Sequence, residues 1–407
     1  MPEAPDTDRR SSRGPLAGIR VVELGSFVAG PFAGQLLGDY GAEVIKVEPP
    51  EVGDVMRRWG IVHDGESLWW PSIARNKRSV TIDLRQPEGA QIARRLIAAS
   101  DVVVENFRPG QLESWGLGYE VLAGENPRLV MVHVSGFGRT GPRSAEAGFG
   151  SIGEAMGGIR HTTGAANGPS SRCGISLGDS LASLFAVVGT LAALVERNES
   201  GKGQEVDVAI YEAVAALMES SLADYQLAGV VRGRSGGVLP GVSPSNGYPS
   251  LDGVEILIAA NADTVFARLC GAMGRPGLLD DPRFATHSAR GEHSDELDAE
   301  IARWTEQHTA EALVEFLAAD QIPAGRIYTA ADAIEDPHYL AREMIVHALS
   351  STGQETPMTG IVPKFSATPG AVRSAGPSLG ADTVAVLQEL AELTDDEYAD
   401  LRERGIL

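Results

Sequence analysis

The 407-residue chain carries 34 basic and 55 acidic side chains, a formal charge of -21, and is 43 % hydrophobic. A carboxylate excess of this size excludes a protein that grips nucleic acid through its phosphates, which needs clustered Lys and Arg. It leaves room for a small anion in a local basic pocket. The two cysteines, Cys173 and Cys270, build neither a disulfide framework nor a metal cluster, and they fit a reducing, cytoplasmic setting.

The polar start, MPEAPDTDRRSSRG, lacks an apolar signal core, so residues 1–15 read as a disordered leader. IRVVEL then predicts a strand, GPFAGQLLGDYG a small-residue helix and EVIKVE a second strand. The alternation continues through SVTIDL (strand), PEGAQIARRLIAA (helix, with Pro87 in its first turn), DVVVEN (strand), YEVLAGE (short helix) and LVMVHVS (strand). Strands alternating with helices predict a doubly wound, Rossmann-like parallel α/β sheet. After GISLGDS, the residues Leu181, Leu184, Phe185, Val188, Leu191, Leu194 and Val195 recur at helical spacing and predict a largely buried helix. Its Ser180, Ser183, Thr190, Glu196 and Arg197 argue against a membrane span, and no stretch reads as long and apolar enough to be one. GKGQEVDVAIYEAVAALME adds a turn, a strand and a helix. The first part of a large domain is thus expected over 16–228. Residues 229–250, rich in Gly, Pro and Ser, read as a linker and mobile loop. A smaller α+β domain is expected over 251–338, and 339–407 returns to the large domain, ending in the acidic, solvated helix of ELTDDEYADLRERGIL.

Several motifs carry chemistry only in context. GFGRTG, Gly136 to Gly141, has the dinucleotide spacing, but Pro142 follows and no helix opens on the glycines. Glu48 ends the second strand as a ribose-binding acid does, yet the preceding turn, GSFVAGP, lacks the glycine triplet. Arg75, Lys77, Arg78, Arg85 and Arg108 sit near strand or loop ends. Singly each reads as a solvated charge; together, in an acidic chain, they point to a phosphorylated ligand. His133 and His161 have no metal spacing. GRSGG, Gly233 to Gly237, reads equally as a linker or a lid. Asp179, in GISLGDSLASLF, stands at the mouth of the predicted helix. The plain reading is an N-cap.

GIRVVELGSFVAGPFAGQLLGDYGAEVIKVEPPEVGDVMR, RNKRSVTIDLRQPEG, VVENFRPGQLESWGLGYE, HVSGFGRTGP, GISLGDS and PSLGADT, taken in this order and spacing, resemble the class III CoA-transferases. This is the formyl-CoA transferase, carnitine dehydratase and bile-acid-inducible family, and the resemblance runs from about residue 16 to 407. It implies a Rossmann-like large domain, a smaller α+β domain and an interlinked homodimer. It implies no permanently bound cofactor and no metal, with coenzyme A and its acyl thioester as substrates. The nucleophile it implies is Asp179 in LGDS. The CoA contacts would be Val28 and Ala29 in FVAGP, Arg85 in DLR, and Asn106 and Phe107 in ENF, with Arg108 beside them. A mobile glycine loop over the reacting anhydride would include Gly236 and Gly237.

The chain also departs from the pattern. Phe149 stands where the family's racemases have a histidine, which argues against racemisation. Gly150 stands where many relatives carry an acid, and Glu154 follows one turn later as its substitute. Pro49 and Ser114 stand where some relatives have arginines, leaving Arg108 to meet a CoA phosphate. Arg160, in GIRHTTG, offers a partner for a second carboxylate. The expectation is CoA transfer from an acyl-CoA, a succinyl- or other small dicarboxylyl-CoA, to a free carboxylic acid through an aspartyl anhydride and an aspartyl-CoA thioester on Asp179. The alternatives are an acyl-CoA racemase or hydratase-like member of the same family, and a CoA-binding protein without turnover. Neither nucleic acid nor membrane is an expected partner.

Overall fold

Residues 14–407 are described by the structure, a computed structural model. Apart from Gly14 and Pro15, the predicted leader lies outside the described residues. The chain divides into two compact units. One comprises the chain through Ile159, then Cys173–Leu222 and His338–Leu407; the other comprises Arg160–Arg172 and Ala223–Pro337.

The first unit is built on six parallel strands: β1 (Arg20–Glu23), β2 (Glu43–Glu48), β3 (Lys77–Thr81), β4 (Val102–Glu105), β5 (Val130–Ser135) and β6 (Glu205–Ala209). Their spatial order is β3-β2-β1-β4-β5-β6. The order reverses between β1 and β4, the switch point at which doubly wound sheets form a crevice beyond the carboxyl ends of their strands. Alternate residues of each strand enter opposite cores, as a period of two requires. Val21, Val44, Val102, Val104, Val130 and Val132 pack beneath α1 (Ala29–Asp39) and α4 (Leu177–Ser200). Val22, Ile45, Val80, Val103 and Met131 pack beneath α2 (Pro87–Ala98) and α7 (Thr383–Ala391). Burial on both faces explains why these strands read as near-continuous Val and Ile runs. Between β5 and β6 lie α3 (Gly150–Met156) and α4; α5 (Ile210–Ala215) follows β6, and next in the chain is α6 (Ser221–Ala228), most of whose residues belong to the second unit.

Three expectations for this unit are corrected. SVTIDL forms strand only to Thr81 and the strand begins two residues earlier, so Lys77 and Arg78 lie inside β3. The α4 helix is not largely buried. Its small side, Ala182, Ser183, Ala186, Thr190 and Ala193, faces the sheet and α1, whereas Leu184, Phe185, Val188, Leu191 and Val195 are 39–67 % exposed. Small residues win the inner face because they let the helix lie close to its neighbour: Ser183 Oγ donates to the Ala29 carbonyl at 2.7 Å. By length and composition alone α4 could cross a membrane, contrary to the sequence reading. Its buried Arg197 instead ties it to the sheet through Asp101 Oδ1 at 3.0 Å and the Arg128 carbonyl at 3.2 Å.

The second unit centres on an antiparallel sheet of β7 (Ser245–Pro249), β8 (Glu255–Ala259) and β9 (Ala324–Arg326), with β8 in the middle. β8 alternates, so Ile256 and Ile258 join Tyr248, Phe266, Leu297 and Leu313 in the core while Glu255 and Leu257 face outward. The β7 strand falls in the stretch read as a linker. Its Ser, Asn and Gly have poor strand propensity, but pairing with the apolar β8 and burial of Tyr248 override it.

Candidate active site

Asp179 is the third residue of α4 and not its cap; the capping position belongs to Ser176, whose side chain makes no capping bond. The carboxylate therefore sits inside the first turn, where free amides and the helix dipole favour negative charge. It lies against the backbone of Gly150, the first residue of α3. A Cβ built at Gly150 would stand 2.3 Å from Asp179 Oδ2 and 2.7 Å from its Cγ. Glycine is needed here for room and not for an unusual φ. One turn further along α3, the buried Glu154 accepts the Gly178 N–H at 3.3 Å. Gly178 is close-packed too: its Cβ would meet the Gly150 carbonyl at 2.9 Å. α3 lies flat on α5 for the same reason, since Cβ atoms at Gly153 and Gly157 would each come within 2.5 Å of Ile210 and Val214 respectively. The ends of α3 and α4 thus meet over two glycines, Gly150 and Gly178, with Asp179 and Glu154 in the seam.

From this seam Ser183 leads to the crevice. Its Oγ lies 2.8 Å from the Asp179 carbonyl and 2.7 Å from that of Ala29, which opens α1 just after the buried cap residue Val28. The turn before it is held by Asn106, whose side chain accepts the Ser26 N–H and donates to the Ser26 carbonyl, both at 2.8 Å. Gly25 admits that amide: a Cβ there would lie 2.6 Å from Asn106 Oδ1. Asn106 is thus a clamp on the β1–α1 turn. A pocket of about 410 Å³ opens over this turn, past the carboxyl ends of β1, β2, β3 and β4. Its walls are apolar, from Val47, Ile82, Leu84, Phe107 and Trp115, the last two ring-to-edge at 5.2 Å.

Beneath the pocket is a buried ionic network. Lys46 Nζ lies 2.8 Å from Glu23 Oε1 and 2.7 Å from Asp54 Oδ2, and Lys77 Nζ lies 2.7 Å from Glu23 Oε2. Burial alone would lower the Lys46 ammonium, but Glu23, Asp54 and Glu48 together raise it above its ordinary value. Burial likewise works to raise Asp54, and Lys46 overrides it, holding that carboxyl below its ordinary range. Asp54 Oδ1 in turn accepts the Phe27 N–H at 3.2 Å and so helps hold Phe27 at a φ of 64°, a strained conformation for a non-glycine residue. The Phe27 ring, part-exposed, meets Trp59 at 5.8 Å and Phe149 at 6.4 Å, edge to face.

Glu48 is engaged by Arg57 through two bonds of 2.7 Å and by Ser79 Oγ at 2.6 Å. Burial opposes its charge, but Arg57 and Lys46 hold the carboxyl below its ordinary value. A carboxylate so committed is not offered to a ribose, and the GFGRTG stretch runs into turns with no helix on it, so neither half of a dinucleotide site is present.

The basic residues sort differently from the sequence reading. Arg75, Lys77 and Arg78 are paired structurally with Asp39, Glu23 and Glu43, and none lines the pocket. Arg85 does line it; its side chain is 72 % exposed and bonded to Asp83 at 2.8 and 2.9 Å. Arg108 is exposed and lies off the pocket lining. Sequence reasoning missed Arg57 and Arg58. The signal was the pair itself, in VMRRW, after an acid that caps a short turn.

Arg160, Gly236 and Gly237 belong to the second unit. Arg160 is half-buried on the short helix Ile159–Thr162. The glycine loop is tied to the neighbouring 160–172 segment: the Gly236 N–H donates to the Gly164 carbonyl at 3.0 Å, and Arg234 Nε to that of Gly168 at 3.0 Å.

The chain resembles known proteins over nearly its whole length. The succinyl-CoA–D-citramalate CoA-transferase of Chloroflexus aurantiacus is 55 % identical over 97 % of this chain and 98 % of its own. The succinate–glutarate CoA-transferase of Agrobacterium fabrum is 36 % identical over 94 % of this chain and 98 % of its own. A crystal structure of a CaiB/BaiF family protein from Brucella suis superposes with a TM-score of 0.83 at 36 % identity, covering 93 % of this chain and all of that one. A family model described as CoA-transferase family III matches residues 16–383. With the sheet order, the crevice and these relatives in agreement, the chain belongs to CoA-transferase family III and is a CoA-transferase.

Proposed function

We propose that this enzyme moves CoA from succinyl-CoA to a free dicarboxylic acid through covalent intermediates on Asp179. The reading is carried by the placement of that carboxylate: in the first turn of α4, seated on Gly150, and joined through Ser183 to the turn that forms the crevice. The donor is suggested by the relatives, named for succinyl-CoA with citramalate or malate and for succinate with glutarate.

In the first step Asp179 attacks the thioester carbonyl, the C–S bond breaks and CoA thiolate leaves, giving a mixed anhydride. The thiolate then attacks the aspartyl carbonyl. Succinate departs with the electron pair of the broken C–O bond, and an aspartyl-CoA thioester remains. The acceptor carboxylate repeats both steps in reverse, leaving Asp179 as it began. Each tetrahedral intermediate carries an oxyanion at the start of α4, where the helix dipole favours negative charge without reorganisation. Glu154 keeps the Gly178 amide in place and so acts by positioning. Val28 and Ala29 border the thioester, while Phe107, Arg85 and Arg108 hold the nucleotide end and Asn106 shapes the turn between. By the same resemblance, Gly236 and Gly237 cover the anhydride and Arg160 pairs with the second carboxylate of the acid.

We assign the exposed apolar side of α4 to an interface with a second copy, as a homodimer. A cytoplasmic setting fits its two unpaired cysteines.

The test is the intact mass of wild type and Asp179→Ala after incubation with succinyl-CoA. A CoA adduct mapping to Asp179 in the wild type and absent from the variant is the expected result. Transfer that persists in Asp179→Ala would overturn the mechanism.

A further inference from the structure

Arg58 ends the short 3-10 turn Val55–Arg58, and the rest of that turn is fixed from inside. Asp54 caps it by accepting the Met56 N–H at 2.9 Å, while the Asp54 N–H donates to Glu48 Oε2 at 2.9 Å. Met56 is fully buried in a cluster with Val28, Trp70 and Ile73. Arg57 turns inward: besides its two bonds to Glu48, its guanidinium carbon stands 3.8 Å over the Trp70 ring and its Nη1 donates to the Pro377 carbonyl at 3.1 Å. Arg58 is left facing out, exposed, on the lining of the 410 Å³ pocket.

The charges around the pocket decide what Arg58 is free to do. Lys46, Lys77, Arg57 and Arg85 are matched by Glu23, Asp54, Glu48 and Asp83. Arg58 takes part in no ion pair or side-chain hydrogen bond among the described residues. It is therefore the pocket's uncommitted positive charge, on a backbone that buried contacts hold in place, in a chain of charge -21. A guanidinium presents a planar fork of donors that matches the oxygens of a phosphate. The apolar wall beside it, with Ile82, Leu84, Phe107 and Trp115, suits a flat ring.

We propose that Arg58 binds the terminal phosphate monoester at the nucleotide end of the CoA thioester. The monoester is the most strongly charged group of that ligand, and a single unmatched guanidinium is best answered by it. This seats the nucleotide at the pocket rim and sends the pantetheine arm down over Ser26 toward the start of α1 and Asp179. The inference rests on the reading that CoA is the ligand, and it names the residue that reads one of its phosphates.

The experiment is calorimetric titration of free CoA and of 3′-dephospho-CoA into the full chain, as wild type, Arg58→Ala and Arg58→Lys. Wild type should bind dephospho-CoA about tenfold more weakly than CoA. Arg58→Ala should lose about tenfold on CoA and bind the two ligands alike, because the partner of the missing phosphate is gone. Arg58→Lys should recover part of the preference, having the charge without the fork. The proposal is overturned if Arg58→Ala binds CoA as wild type does, or if it weakens both ligands equally. A wild type that binds neither ligand overturns the CoA reading itself. Unchanged thermal unfolding of Arg58→Ala, expected for an exposed side chain, shows that the variant is folded.

Discussion

Replacing Gly150 with alanine adds a single methyl group to the seam between α3 and α4. That methyl would lie 2.3 Å from Asp179 Oδ2, whereas ordinary contact begins near 3.4 Å, so the carboxylate must move by about 1 Å or turn away. Gly150 begins a helix in which alanine is the better former, and its φ is not in the left-handed region, so the backbone raises no objection. The cost therefore falls on the position of the nucleophile. A misplacement of about 1 Å in a reacting group costs on the order of a hundredfold in rate, about 3 kcal/mol in barrier. Steady-state transfer from succinyl-CoA should show kcat reduced about a hundredfold, with CoA affinity and melting temperature close to wild type. A Gly150→Ala enzyme that keeps kcat within threefold of wild type would refute the claim that this glycine places the carboxylate.

The Glu48–Arg57 pair gives a second prediction. Glu48→Gln leaves Arg57 largely buried with half its partner's charge-assisted bonding removed, and should destabilise the first unit by about 3 kcal/mol at pH 7, read by urea unfolding. Because the Glu48 and Asp54 carboxyls are held below their ordinary values of 4.5 and 3.8, their contribution is present above those values and is lost as pH falls through the lower native ones. Wild type should thus lose stability below about pH 4 more steeply than Glu48→Gln; parallel acid titrations would count against the network. In the third prediction, Val188→Asp puts a charge on the exposed apolar side of α4. Sedimentation should shift from twice the 42.8 kDa chain mass to that mass itself, and an unshifted dimer would place the interface elsewhere.

How much of this was legible in the sequence depended on whether the deciding partner was local. The six strands stood out because their Val and Ile runs are buried on both faces, a property each run carries by itself. The Asp179 segment was recognisable from its own few residues. Its exact helical position was not, because Ser176 and Asp179 are both good capping residues and only the fold of the preceding loop chooses between them. The large residues of α4 looked like a core face, since periodicity reports that one side is apolar and not what covers it. Arg57 and Arg58 are identical in type and adjacent in sequence. One is drawn inward by Glu48, nine residues earlier, and by Pro377, more than three hundred residues later; no local pattern separates it from its neighbour. The sequence groups Arg75 and Lys77 with Arg85 and Arg108 for the same reason, since Asp39 and Glu23 claim the first two from distant parts of the chain.

The late PSLGADT segment has a consequence for how the protein comes into being. The Pro377 carbonyl is bonded by both Arg57 and Trp70, the Gly380 N–H donates to Ser79 Oγ, Asp382 accepts the Ser79 N–H, and the Ile406 carbonyl accepts the N–H of Asp83. These bonds brace β3, Arg57 and the lining residue Asp83 from outside the pocket. A growing chain that has already made all six strands still lacks them. The bracing of that wall therefore waits for residues made after the second unit, and a ribosome-bound chain stalled before residue 377 should have the sheet with a loose pocket wall.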